Sequence, residues 1–139
     1  MFLHRQRGLV CILAWAGAAF AASPTQRFDG EWSAVLSCPN SSGALGYSFE
    51  LLAVVREGVL HAEKGRRGEP GWLQIDGRVD PDGRGNLYAD GLVGASEVAV
   101  GHRPAGSPYG YHLAVEFKDT TGTGNRVEGR PCTIAFGRK

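Results

Sequence analysis

The sequence predicts an all-β domain of about eight short antiparallel strands, in a sandwich or barrel closed by one disulfide. Three observations carry this. Helical periodicity is nearly absent beyond Ala22: no window of about 11 residues keeps apolar positions at i, i+3, i+4 and i+7 without a glycine or proline intervening. Strict apolar/polar alternation recurs instead, as expected of half-buried strands. The 21 glycines are scattered between short apolar runs with no collagen-like period, which marks frequent turns.

Taken in order, Met1 to Ala22 reads as a secretory signal peptide. His4, Arg5 and Arg7 form a basic start. Leu9 to Ala18 form an apolar stretch too short to span a bilayer. Ala19-Phe20-Ala21 supplies a cleavage site next to Ala22. Cys11, poorly placed for a lipoprotein signal, leaves with this segment. Residues 23–139 then form a single domain, secreted or periplasmic, with no membrane anchor after cleavage. Loss of Arg5 and Arg7 turns the formal charge of +1 slightly negative. That balance speaks against nucleic acid or an anionic membrane surface as the main partner.

The first strand runs from Phe28, with Trp32, Ala34 and Leu36 on one face. The second spans Tyr47 to Val55, with Tyr47, Phe49, Leu51, Ala53 and Val55 sharing parity. Glu57-Gly58 turns the chain into Val59–Glu63. Trp72–Val79 and Gly85–Asp90 flank the turn Asp80-Pro81-Asp82-Gly83, where proline pre-sets φ and glycine takes a positive one. Trp72 has the opposite parity to Leu73 and Ile75, so it is expected to be more exposed than Trp32. Pro104 to Pro108 breaks the chain before the alternating run Tyr111, Leu113, Val115, Phe117. Thr120 to Gly124 is expected to break it again before a last strand of about Arg126 to Phe136.

Cys38 and Cys132 remain after export, and an even pair in an oxidising compartment predicts a disulfide. Closing so long a loop is worth roughly 4–5 kcal/mol in the chain-entropy account.

Gly30-x-Trp32 resembles the start of the calycin barrels, the lipocalin and avidin-like group. That resemblance implies an up-and-down barrel. It implies a plug tryptophan at the closed end, with an arginine from the end of the last strand packed on it. If Cys38 lies opposite Cys132 across the first and last strands, the same register sets Arg138 opposite Trp32, a cation–π contact of roughly 0.5–2 kcal/mol. More broadly, residues 28–136 resemble a group of uncharacterised exported bacterial proteins. The matching residues are Phe28-Asp29-Gly30-x-Trp32, Cys38-Pro39-Asn40, Pro70-Gly71-Trp72-Leu73, Asp82-Gly83, Gly106-x-Pro108-Tyr109 and Gly122-x-Gly124. This implies fold and export, and no activity. The tryptophan-rich later strands of avidins are missing, which speaks against biotin.

Catalytic constellations are lacking, so no enzyme and no cofactor are expected. His61, His102 and His112 fall on different segments, with no His-x-x-x-His or His-Glu-x-x-His spacing. His112 and Glu116 share a strand face but sit about 13 Å apart. Asp80-x-Asp82-Gly83 lacks the later ligands of a calcium loop. No Gly-x-Ser-x-Gly elbow exists, and Ser41 and Ser42 have no evident partner. No metal is expected.

The last strand offers the best functional clue. Arg126, Glu128 and Arg130 share parity with Cys132, Ile134 and Phe136. If that parity faces inward, Arg130 needs Glu128 or a ligand anion, because a buried guanidinium cannot shed its charge. If Gly129–Pro131 forms a bulge, the charged half turns outward. The first case predicts a binding barrel for a small, anionic and partly apolar ligand. Tyr47, Phe49, Tyr111, Glu128 and Arg130 would contact it, with Val115 in the wall. The alternative is a protein-binding module, such as a hydrolase inhibitor, contacting an exported partner through the loops Gly65–Pro70 and Pro104–Tyr109.

Overall fold

The computed structural model describes residues 16–19 and 26–139. The signal-peptide reading and its cleavage site fall mostly outside these residues. Eight strands form one closed antiparallel barrel in simple sequence order: β1 (Gly30–Cys38), β2 (Tyr47–Arg56), β3 (Val59–Lys64), β4 (Leu73–Val79), β5 (Arg84–Leu92), β6 (Pro108–Lys118), β7 (Thr121–Arg126) and β8 (Thr133–Arg138). The up-and-down order follows from the short turns, and closure of β8 on β1 leaves no sheet edge. The described residues contain no α-helix; a turn of 3-10 helix lies at Ser96–Val98.

The interior is the face that alternation marks. Trp32, Ala34, Leu36, Leu51, Ala53, Val55, Leu113, Val115 and Phe117 are all 5% exposed or less. The β1–β8 ladder runs from Trp32 opposite Arg138 to Ser37 opposite Thr133. Continued by one residue, that register brings Cys38 to Cys132, which are bonded with Cα atoms 4.3 Å apart. The disulfide therefore pins the barrel seam.

The two ends differ. Tight turns 57–58, 80–83 and 119–120 close one end, together with the chain from Arg27 and the C-terminus. Phe28, Trp32, Phe117 and Phe136 pack there; Trp32 meets Phe117 edge-on at 4.9 Å. The Trp32 indole N–H donates to the Phe28 carbonyl at 2.9 Å, and the Arg138 guanidinium lies 4.5 Å over the indole. The Asp29 carboxylate accepts the backbone N–H groups of Glu57 and Gly58, fixing the β2–β3 turn. In the β4–β5 turn Gly83 has φ of 93°, and a Cβ there would fall 2.1 Å from the Phe117 carbonyl oxygen, so only glycine fits. The longer loops 39–46, 65–72, 93–107 and 127–132 all gather at the other end.

One expectation fails here. Thr121–Arg126 is not a break but the strand β7, and the expected single last strand is β7 and β8 separated by the loop 127–132. The glycines that read as a turn are needed inside the barrel. A Cβ on Gly124 would meet Val115 at 2.5 Å, and one on Gly122 would meet the Phe117 ring. Trp72 is more exposed than Trp32, as expected, but only at 7% against 0%, so it too is buried. It precedes β4, so strand parity does not govern it. Its indole N–H donates to Glu63 at 2.8 Å, and Arg67 of the neighbouring loop covers its ring.

Candidate functional site

Strand β2 begins at the open end with Tyr47 and Phe49, whose rings lie 4.9 Å apart and half-buried. Strand β6 places Tyr109 there, stacked on the buried Tyr111 with ring centroids 6.1 Å apart. Loop 93–107 folds back over the opening, tied by Val93 N–H to Ser107 and by Gly106 N–H to Val93. It contributes Val93, Val98, Ala99, Val100 and Arg103. Together with Arg126 and Arg130 these side chains enclose a cavity of about 220 Å³. That is below the roughly 300–1,000 Å³ of drug-sized pockets and suits a smaller molecule.

The cavity is shallow. Leu36, Leu51, Leu73, Tyr111, Leu113 and Ile134 fill the barrel beneath it, none more than 5% exposed. Tyr111 therefore underlies the site rather than lining it. Val115, expected in its wall, lies deeper still, opposite Gly85 and Gly124. Tyr47 and Phe49 line the cavity.

The charged residues divide differently from the expected pattern. Glu128 faces outward. Its carboxylate accepts the backbone N–H of His112 and lies 3.0 Å from the His112 ring nitrogen. That backbone hydrogen bond, helped by the ring, holds its pKa below the ordinary carboxylate value. Glu128 does not pair with Arg130. The shared parity breaks because the chain leaves the sheet after Arg126 and turns at Gly129, where φ is 75°.

Arg130 does face inward, with 7% exposure, but it holds protein rather than awaiting an anion. Its guanidinium donates to the Pro39 carbonyl at 2.8 and 3.1 Å, to Leu45 at 2.6 Å and to Val98 at 2.6 Å. It thereby clips loops 39–46 and 93–107 to its own loop, and its plane sits 5.1 Å over Tyr47.

Arg126 is the residue that sequence parity placed inward without a role. Its guanidinium lies 4.1 Å over the Tyr111 ring, and its Nε–H donates to the Glu128 carbonyl at 2.6 Å. Neither terminal nitrogen has an acceptor, and no carboxylate lies within 4.0 Å, among the described residues. Gly129 allows this pose, since a Cβ there would stand 3.1 Å from one of those nitrogens. Among the described residues, no acidic side chain lines the cavity, against three arginines. Arg126 could have been nominated from its parity; Arg103 and Val98–Val100, in an irregular loop, carried no such signal.

Burial raises the pKa of Tyr47, Tyr109 and Tyr111 above the usual phenol value of 10.0. A group whose folded pKa is raised contributes stability that is complete below the unfolded pKa and is lost above it. Stability should therefore fall as pH climbs past about 10, as the unfolded chain releases phenol protons that the barrel retains. Denaturant midpoints measured from neutral to alkaline pH check this. The triple Tyr→Phe variant should show a flatter decline; an equal decline would contradict the assignment.

The His61 ring on the outer wall lies 2.6 Å from Asp76 and 3.6 Å from Glu63. Among the described residues, no three His, Cys, Asp or Glu side chains are grouped to hold a metal. No family model, curated protein or solved structure matches this chain.

Proposed function

We propose that this protein is an exported, calycin-like binding barrel for a small ligand with an anionic group and an apolar body, seated at the open end. The observation that carries this reading is the cavity lining: aromatic and aliphatic walls, arginines and no carboxylate. Arg126 is the anchor, because both of its terminal nitrogens are free, whereas Arg103 spends one on the Pro108 carbonyl, and a planar guanidinium matches a carboxylate in a two-pronged pair. Arg130, the anchor that the sequence suggested, has its donors committed to backbone carbonyls.

A charge-assisted hydrogen bond is worth roughly 1.5–3 kcal/mol, or about 10–100-fold in affinity. Arg126→Met should weaken binding of a simple amphiphile such as decanoate by that factor while lowering the denaturation midpoint less than Arg130→Met does, since only the Tyr111 contact and one hydrogen bond are lost. Fluorescence titration reads the first and urea unfolding the second. Equal affinity in the variant would sink the proposal. Native mass spectrometry of protein taken from its own compartment would identify the natural ligand.

A second reading, a protein-binding module, draws on the large apolar side chains exposed around the same end. Leu45 is 55%, Val100 45% and Val127 62% accessible. A protein partner captured by the wild type and lost on Val100→Asp and Val127→Asp, with decanoate binding absent, would favour it.

A further inference from the structure

The orientation of the ligand is set by what lies at the floor and at the rim of the cavity. The Tyr111 hydroxyl is buried and has no hydrogen-bond partner among the described residues. Leaving a buried hydroxyl unmatched is unfavourable, so the fold carries an uncompensated donor beneath the opening. The phenols of Tyr47 and Tyr109 line the cavity above it and make no hydrogen bond among the described residues. Beyond burial, both of these phenols push the Tyr111 pKa up and Arg126 pulls it down, so the three hydroxyls and that guanidinium lie within one another's field. Arg126 lies directly over the Tyr111 ring. Apart from Arg103 of the covering loop, which donates to the Pro108 carbonyl, these donors are concentrated on the barrel side of the cavity.

The apolar groups are concentrated on the other side. Val98, Ala99 and Val100 come from the loop that covers the opening, and Val100, Leu45 and Val127 extend the apolar character onto the exposed rim.

Resting on the binding reading above, we infer that the ligand is a monocarboxylate that enters head-first. Its carboxylate is received between the free nitrogens of Arg126 and the tyrosine hydroxyls, Tyr111 included, and its apolar tail leads out past Val98–Val100. A carboxylate is preferred to a phosphate because Arg130 is committed to backbone carbonyls and Arg103 is held by the Pro108 carbonyl, which leaves Arg126 as the one guanidinium beside the neutral phenols. The Tyr111 hydroxyl, a liability in the free protein, becomes a donor to an anion in the complex. Ligand entry has to shift the Tyr109 ring or the Arg126 side chain that covers it.

Three measurements by titration calorimetry test this. Tyr111→Phe should weaken decanoate binding about tenfold or more, since a hydrogen bond to a charged group is lost. The same variant, without ligand, should unfold at a denaturant concentration equal to or above that of the wild type, because the unmatched hydroxyl is gone. A purely structural role for Tyr111 would not weaken binding while sparing stability. Lengthening the alkanoate should tighten binding about fourfold per methylene until the tail clears the rim, and then level off. An alkanoate bearing a pyrene at its tail end should still bind. If the wild type binds decanoate and Arg126→Met loses it, but Tyr111→Phe binds as tightly or the pyrene-capped chain is excluded, the head-first orientation is overturned and the binding reading stands. If the wild type binds no alkanoate, both fall.

Discussion

Trp32→Ala is expected to remove about 3–5 kcal/mol of stability, the usual range for cutting a large buried aromatic to alanine. Trp32 has no exposed surface. Its loss opens a cavity against Phe117 and strands the Phe28 carbonyl, which now accepts the indole N–H. Domains of this size hold only about 5–15 kcal/mol in total, so the variant should be close to unfolding at room temperature. Trp32→Phe, which keeps an aromatic body, should lose less. Arg138→Ala should cost less than Trp32→Ala: its contact with the indole is worth about 0.5–2 kcal/mol, and its other partners are the backbone carbonyls of Arg27, Asp29 and Asp119 at the exposed closed end. Urea unfolding of the three variants ranks them. A loss below about 1 kcal/mol for Trp32→Ala would show that the plug is not a packing centre.

Arg130→Met is expected to be the second most damaging change, at about 3–5 kcal/mol, and to act on the loops. The substitution keeps the apolar stem but strips donors from the carbonyls of Pro39, Leu45 and Val98. Each buried acceptor left without a partner costs about 1–3 kcal/mol, less where water can reach it at the mouth. Loops 39–46 and 93–107 should loosen together, because one guanidinium joins them. Limited proteolysis should therefore cut both sooner, and the urea midpoint should fall. An unchanged midpoint with ligand binding lost would return Arg130 to the role of ligand anchor. The contrast with Arg126→Met, which costs the fold less and loses the ligand, separates the two arginines experimentally.

Cavity depth bears on the same point. The filled layer of Leu36, Leu51, Leu73, Leu113 and Ile134 confines any ligand to the mouth. Affinity there depends on a few well-placed polar contacts rather than on a large enclosed volume, so single side chains such as Arg126 and Tyr111 should have effects out of proportion to their number.

What the sequence determined by itself was the strand interior. Alternation is a property of each residue's own backbone geometry, so Trp32, Ala34 and Leu36, or Leu113, Val115 and Phe117, declare their inward face without reference to the rest of the chain. The Cys38–Cys132 pair then carried the register of the seam, because antiparallel partners sum to a constant and one pair sets all the others, Trp32 and Arg138 among them. Beyond the strands that logic stops. Trp72 stands one residue before β4 and is buried by Glu63 and Arg67, which parity does not describe. Glu128 and Arg130 lie in a loop where a left-handed glycine reverses the side-chain alternation. The tertiary structure decided which arginine was spent on the fold and which was left for a ligand. Arg130 reaches carbonyls 32, 85 and 91 residues away in the chain, and only closure of the barrel brings them together.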